Sequence, residues 1–322
     1  MTDKPAKDSP GSEKTRSRAM LAVVAGVVAI VCYLLFFREP QTPKEPPPTP
    51  SSPTTAAAVP MLSPLVNDAG APVRIVAVGD LHGDLAATRT VLKLAGAIDE
   101  KDKWVGGELV LVQTGDEIDR GDDDRAILDL FDRLSDEAKA AGGRVVPLNG
   151  NHELMNAQED FRYVTKGAMD AFEDQGGRKK AFAPGSGKYA KLIAKRDVIG
   201  VIGDTVFVHG GLLPRFARDI QAINEGTKGW LRGEGPLPNA ITDEHGPVWS
   251  RDYAEENGCA KAKEALRLLG ARRMVIGHTV QKDGIQSACE GRVHRIDVGL
   301  SKFYGGAPQA LEIRGDAVRV LK

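Results

Sequence analysis

Aromatic residues and net charge are what this chain has least of. Phe, Trp and Tyr make up 5% of its 322 residues, and the formal net charge at pH 7 is −1. Few aromatics leave few platforms on which bases could stack. A near-neutral chain has no basic field with which to hold a nucleic-acid backbone. Nucleic acid is therefore not an expected partner. Cysteine is also scarce, with Cys32, Cys259 and Cys289 making up the whole complement. The length allows one large domain or two small ones, at roughly 150 residues per domain.

One stretch lacks charge altogether. Ala19 to Phe37 is a run of 19 residues without a charge, Pro, Asn or Gln. As a helix it would be about 28 Å long, enough to cross a bilayer core. Lys14, Arg16 and Arg18 precede it in a basic tail over 1–18, whereas only Arg38 follows closely, beside Glu39. The positive-inside rule then puts the amino terminus in the cytoplasm and the rest across the membrane, in the periplasm or another extracytoplasmic space. A cleaved signal peptide competes, but the run is long for one and no small-x-small pattern follows Phe37. Cys32 follows Val31, not the small residue that a lipoprotein site wants. A single-pass, uncleaved anchor is the expectation. Residues 38–72 read as a stalk, with nine prolines between Pro40 and Pro64. That composition favours polyproline II, buries no core, and would reach roughly 75 Å when extended. With the domain outside the cytoplasm, Cys259 and Cys289 could pair as a disulfide; two ordinary buried thiols are the equal alternative.

The globular part is expected over 73–322. Apolar β runs at 73–78, 109–114 and 144–148 alternate with helical patterns at 84–97 and 124–141, which means βαβ units and an α/β domain. From Leu154 to about Arg196 the pattern is helical and polar. Between Arg178 and Arg196 lie seven Lys or Arg and no acid; a solvated surface is the plain reading, and a basic cap that attracts anionic substrates the sharper one. Ala183-Pro-Gly-Ser-Gly-Lys188 imitates a phosphate loop but fails, because Phe182 stands where the first glycine belongs and Tyr189 where Ser or Thr is needed. Strands at 198–202 and 205–208 pair through a Gly203-Asp204 turn. A helix near 214–231, a loop carrying Trp249-Ser250-Arg251-Asp252, a helix at 260–269 and strands at 272–276, 293–298, 310–313 and 317–321 complete the series. Such a series suggests two sheets packed face to face, with helices outside.

Chemistry concentrates where the β runs end. Gly79-Asp80-Leu81-His82-Gly83-Asp84 follows the first, Gly115-Asp116-Glu117-Ile118-Asp119-Arg120-Gly121-Asp122 the second, and Gly150-Asn151-His152-Glu153 the third. Ligands bind at such strand ends in open α/β folds. Four of the six histidines, His82, His152, His209 and His278, stand beside Gly at a strand end. Glycine there lets the backbone turn sharply and come close to a bound ion. Imidazole, carboxylate and one amide, without a thiolate, suit Mn, Fe or Zn. Two ions need a bridging carboxylate, and Asp116, from the middle loop, is the candidate. Paired metals activate water and stabilise both oxygens of an in-line displacement, which phosphoryl transfer needs. Arg120 and Arg251 are the candidate phosphate binders, their planar forks suiting bidentate contacts.

The series GDLHGD, GDEIDRGD, GNHE, HGG and GHT, in this order, resembles the calcineurin-like metallophosphoesterase pattern of the phosphoprotein phosphatases. GDEIDRGDDDRAILDLFDRL, GNHELMN followed by FRYV, VWSRDY and IGHTVQ resemble its bacterial Shewanella-like branch. The resemblance covers about residues 73–305. It implies an α/β fold of the α+β metallophosphoesterase type, with two packed mixed β-sheets flanked by helices and a dinuclear metal site at strand ends. It further implies two divalent ions, with Mn the first choice. Asp80, His82 and Asp116 would hold one, and Asp116, Asn151, His209 and His278 the other. His152 would be the general acid oriented by Asp119, and Arg120 and Arg251 would bind phosphate oxygens. His245 and His294 match no motif and are expected to be structural or exposed. Glu117 and Asp122 are explained by solvation or support of the ligands, and Glu153 is expected to orient the 151–152 loop.

The reading is a membrane-tethered, metal-dependent phosphomonoester hydrolase, a protein phosphatase for Ser/Thr or Tyr, with a phosphorylated protein or peptide as substrate. The expected step is direct attack of a metal-bridging hydroxide on phosphorus, without a phosphoenzyme. Its rivals are a symmetrical diadenosine tetraphosphate hydrolase and a membrane-anchored binding module in which the metals are structural. Specificity depends on loops 154–196 and 214–250.

Overall fold

The structure is a computed structural model that describes residues 60–254 and 258–322. The expected anchor over 19–37 lies outside the described residues, as does the expected stalk up to residue 59. Among the described residues no helix is long and apolar enough to cross a membrane.

Two five-stranded sheets form the domain. The first runs β10-β9-β1-β2-β3, with β1 Arg74–Val78, β2 Val110–Gln113, β3 Arg144–Pro147, β9 Ala310–Arg314 and β10 Ala317–Leu321. The second runs β4-β5-β6-β8-β7, with β4 Ile199–Ile202, β5 Thr205–Val208, β6 Arg273–Ile276, β7 Gln286–Ala288 and β8 Val293–Arg295. Both are mixed. In each, three neighbouring strands run parallel, β1-β2-β3 in one and β5-β6-β8 in the other. The flanking strands are antiparallel, so no functional loop comes from them.

The period of two along each strand decides what packs where. Ile75, Ala77, Val110 and Val112 point between the sheets, where they meet Phe207, Val275 and Ile296 in a shared core. Their alternates Val76, Val78 and Leu111 pack against helix α1 (Leu85–Leu94) and helix α2 (Asp124–Ala140) through Val91, Leu92, Ile127 and Phe131. Asp84 starts α1 by accepting the Ala87 N–H at 2.9 Å, an N-cap worth about 1 kcal/mol. On the far side Val206, Val208, Met274 and Ile276 pack against the remaining helices, among them α3 (Asn151–Ala157) and, past the short α4 (Lys166–Asp170), which buries Ala168, also α5 (Arg178–Ala181), α6 (Lys188–Ile193) and α7 (Ile220–Leu231). The two-sheet expectation holds.

Four details differ from the sequence reading. The helix near 214–231 is a 3₁₀ turn at Pro214–Phe216 and then α7. The strand expected over 293–298 stops at Arg295; Ile296 packs in the inter-sheet core, and Asp297 turns the chain by accepting the Gly299 N–H at 2.9 Å. The edge strand β7 has no apolar alternation and exists by pairing with β8. The last residues of the expected stalk lie against the domain: the Leu62 N–H donates to the Gly270 carbonyl at 2.7 Å, and Leu65 joins the inter-sheet core.

Cys259, at the start of helix α8 (Cys259–Leu269), is disulfide-bonded to Cys289 beside β7, closing 30 residues with Cα atoms 5.1 Å apart. Of the two readings of this pair, the bridge is the one found. Closing such a loop restricts the unfolded chain by about 3–4 kcal/mol in the chain-entropy model. The Cys259→Ser/Cys289→Ser variant should therefore unfold more easily by that order in denaturant, with little change in the slope. An unchanged midpoint would show that the bridge does not stabilise the domain.

Candidate active site

The six parallel strands point their C-terminal ends at one place. Asp80 follows β1, Asp116 follows β2 and Asn151 follows β3; His209 follows β5, His278 follows β6 and Asp297 comes shortly after β8. Sequence reasoning found five of these and missed Asp297. Its signal was the one the others share, a polar residue at a strand end with Gly close by.

The loops are held in unusual conformations. His82, Asp116, Asp119, Arg120 and His278 all have φ between 46° and 70°, the left-handed region that costs a non-glycine residue about 1–3 kcal/mol. Glycine lets the ligand-bearing chains close in. A Cβ on Gly150 would stand 2.2 Å from Asp116 Oδ1, and one on Gly277 would stand 2.4 Å from Asp80 Oδ1. Glu153 does more than orient its own loop. Its carboxylate accepts the N–H groups of Gly150 (2.8 Å), Asp116 (2.9 Å) and Glu117 (2.8 Å), clamping two strand-end loops together.

Acceptor atoms converge at the centre. His209 Nδ1 faces the Thr114 carbonyl at 3.0 Å, so the proton of the neutral ring belongs there. Its Nε2 then turns a lone pair toward Asn151 Oδ1 (2.9 Å), His278 Nδ1 (3.1 Å) and Asp116 Oδ2 (3.1 Å). His82 repeats the arrangement: Nδ1 meets the Ile118 carbonyl at 3.2 Å, and Nε2 looks toward Asp80 Oδ2 (3.8 Å) and Asp116 Oδ2 (3.9 Å). An extra proton on His209 could satisfy one acceptor but not three. A divalent cation at each cluster satisfies all of them, so the donor set fits metal. The groups His82–Asp116–His152 and Asp116–His209–His278 could each hold an ion, with ligand atoms within 4.8 Å of one another, and Asp116 is common to both. The expected Asp80–His82–Asp116 set lies around the same imidazole, and His152 Nε2 comes within 3.7 Å of the shared Asp116 Oδ2.

Electrostatics follow from burial. Burial pushes Asp80 well above the usual carboxylate range, aided by Asp297 and Asp116. It would do the same to Asp116, but the His209 and His152 imidazoles hold that carboxylate well below. Burial also lowers His82 to about 3, keeping it a neutral ligand-type imidazole. His152 goes the other way: Asp116 and a 2.6 Å contact between its Nδ1 and Asp119 Oδ2 outweigh burial and raise it. Its free Nε2 is 3.7 Å from Asp116 Oδ2.

Arg120 stands at the mouth. Its guanidinium lies 4.6 Å from the Tyr163 ring centre, 5.1 Å from Phe303 and 5.4 Å from Tyr304, and its buried Nε has no hydrogen-bond partner. The sequence did not single out these three rings. Arg251 reaches the same rim, donating from Nη1 to the His278 carbonyl at 2.9 Å. All ten residues expected at the site are thus gathered there.

Of the unassigned histidines, His245 is exposed and pairs with Asp252 at 2.8 Å, while His294 is buried against Ser287. The basic stretch corrects both of its readings at its two ends. Arg178 and Arg196 are buried, the first against Asp119 and Asp124, the second against Glu117 at 2.9 Å. Metal binding to the acceptor clusters should stabilise the fold, by about 2.7 kcal/mol per site at a hundredfold excess over Kd. Unfolding followed against added Mn²⁺ should show this gain in the native chain and lose most of it in Asp116→Asn. A midpoint indifferent to divalent ions would remove the metal reading of the cluster.

Comparison with known proteins agrees with this geometry. A family model for calcineurin-like phosphoesterases matches residues 73–282, a span that runs from β1 through His278. The chain is 36% identical to Shewanella-like protein phosphatase 2 of Arabidopsis thaliana, over 78% of each chain. It is 30% identical to Shewanella-like protein phosphatase 1 of Plasmodium berghei, over 77% of this chain and 74% of that one. The solved cold-active protein-tyrosine phosphatase of a psychrophilic Shewanella shares the fold, with a TM-score of 0.70 and 22% identity over 88% of this chain and 89% of that chain. With catalytic-type side chains at the ends of the parallel strands β1, β2, β3, β5 and β6 that the family span includes, the chain belongs to the calcineurin-like phosphoesterases.

Proposed function

We propose that this protein is a metal-dependent phosphoprotein phosphatase that favours phosphotyrosyl peptides. The observation that carries it is the pair of acceptor clusters sharing Asp116 Oδ2, with a protonatable His152 beside them and an unsatisfied arginine at the mouth. Asp80, His82 and Asp116 would hold one ion, and Asp116, Asn151, His209 and His278 the other. Manganese suits this nitrogen and oxygen set, as Fe or Zn also do. When bound, such a pair supplies an activated water for direct in-line attack on phosphorus and neutralises phosphoryl charge.

The chain's own residues do the rest. Arg120 binds phosphate oxygens with a fork packed against three rings, and Arg251, held on the His278 carbonyl, meets the same group. His152 holds a proton on Nε2 and gives it to the leaving oxygen. Asp119 fixes the ring so that Nε2, not Nδ1, faces the substrate. Tyr163, Phe303 and Tyr304 are each more than a third exposed. Their faces offer a planar leaving group a surface that a threonine side chain cannot use.

The disulfide supports placing the domain in an oxidising compartment. With the apolar run Ala19 to Phe37 and its flanking charges, it favours a single-pass anchor with the domain outside the cytoplasm.

The test is hydrolysis by the Mn²⁺-loaded protein of phosphotyrosine and phosphothreonine peptides beside diadenosine tetraphosphate. Phosphotyrosine turnover should lead, and Asp116→Asn should abolish it. His152→Asn should lower kcat by on the order of 10²- to 10⁴-fold. Phe303→Ala should narrow the gap between the two peptides by raising KM for phosphotyrosine. Turnover of the dinucleotide alone would reassign the enzyme, and a phosphothreonine preference would sink the aromatic-rim reading.

A further inference from the structure

Arg178 is the largest fully buried side chain in the domain, and it is 1% exposed. It begins the four-residue α5, far along the chain from any expected site residue. Two of its hydrogen bonds nonetheless lead, through Asp119 and Asn156, to His152. Nη2 donates to Asp119 Oδ1 at 3.0 Å, and Nε donates to Asn156 Oδ1 at 2.6 Å. The Asn156 amide in turn donates to the same Asp119 oxygen at 3.0 Å. The other Asp119 oxygen is left for His152 Nδ1 at 2.6 Å. Asp124 Oδ2 lies 2.7 Å from the same Nη2, so the two hydrogens of that nitrogen face the two carboxylates, Asp119 and Asp124. Asp124 contributes its other oxygen, which accepts the Asp119 N–H at 3.0 Å.

The guanidinium cannot drift. Its Nη1 donates to the Ala168 carbonyl at 3.0 Å, and it rests against the Phe172–Phe182 ring pair, 5.0 Å and 5.2 Å from their centres. A rigid fork clamped in this way fixes both the position and the rotation of the carboxylate it binds. Two donors on one Asp119 oxygen leave the second oxygen facing the imidazole. If the carboxylate turned, His152 Nε2 would turn with it.

We infer that Arg178 is a positioning residue for the proton donor: through Asp119 it sets the orientation of His152, and with it the rate of leaving-group protonation. The inference rests on the proposed role of His152 as general acid. As the P–O bond breaks, the proton on Nε2 passes to the leaving oxygen. The ring is left neutral, with its Nδ1 hydrogen still donated to Asp119. A misaimed ring slows this transfer without touching phosphate binding.

The experiment compares phenyl phosphate, whose leaving group needs a proton, with 4-nitrophenyl phosphate, whose leaving group departs as a stable anion. The full-length, Mn²⁺-loaded protein is used, native and as Arg178→Met and Arg178→Lys. In Arg178→Met, kcat on phenyl phosphate should fall on the order of 10- to 100-fold, against less than about 3-fold on 4-nitrophenyl phosphate, with KM unchanged for both. Arg178→Lys keeps the charge without the fork, so it should fall between. If the methionine variant does not fold, the lysine variant carries the same ratio. Equal loss on both substrates, or a change confined to KM, would make Arg178 a structural latch and overturn the inference alone. Loss of equal size on the two esters in His152→Asn, or a native enzyme inactive on both, would overturn the general-acid reading and the inference with it.

Discussion

Acceptors outnumber donors where the parallel strands end, and the rest of the domain keeps them there. Asp116 Oδ2 is shared by two imidazole clusters, and His209 Nε2 meets three acceptor atoms within 3.1 Å. Nothing about chain folding favours this. Uncompensated buried charge costs several kcal/mol, and five of the residues concerned sit in strained backbone. Such an arrangement persists only if the surroundings over-determine it. Here the surroundings are two sheets that share one core, a glutamate that binds three backbone N–H groups, and glycines without which the loops would collide.

Support also arrives from outside the sheets. The segment between β3 and β4 looks like a polar surface in sequence, yet it sends two arginines inward. Arg196 neutralises Glu117 behind the central loop, and Arg178 holds Asp119 and Asp124 beside it. The intervening Lys179, Lys191 and Lys195 do stay outside. A run of like charges thus splits into structural ends and a solvated middle. Only the ends touch the chemistry.

How much of this was legible depended on range. Strands β1, β2, β3, β5 and β6 follow from short β-branched runs, and their terminal motifs name every proposed ligand. Asp80, His82, Asp116, Asn151, His209 and His278 stand next to glycine because the chain must turn and approach at once, and that local demand is visible in the letters. Asp297 was missed because the strand expected over 293–298 ran through it, whereas the strand ends at Arg295. Arg178 was missed for a different reason. Burial of a charge is decided by partners 59 residues away, and a basic residue among others reads as solvated until those partners are known. The rings of Tyr163, Phe303 and Tyr304 come from separate loops, so no local pattern could have joined them around Arg120.

The way the chain enters the domain has its own consequence. Pro60 and Leu62 lie against Gly270, at the C-terminal end of α8 and just before β6 begins. His278 lies just past the opposite end of that strand. The attachment point and the mouth therefore occupy opposite poles of the same short strand. A load applied at the first described residues is therefore taken up at the back of the second sheet, at the end of β6 away from the loops that carry the site.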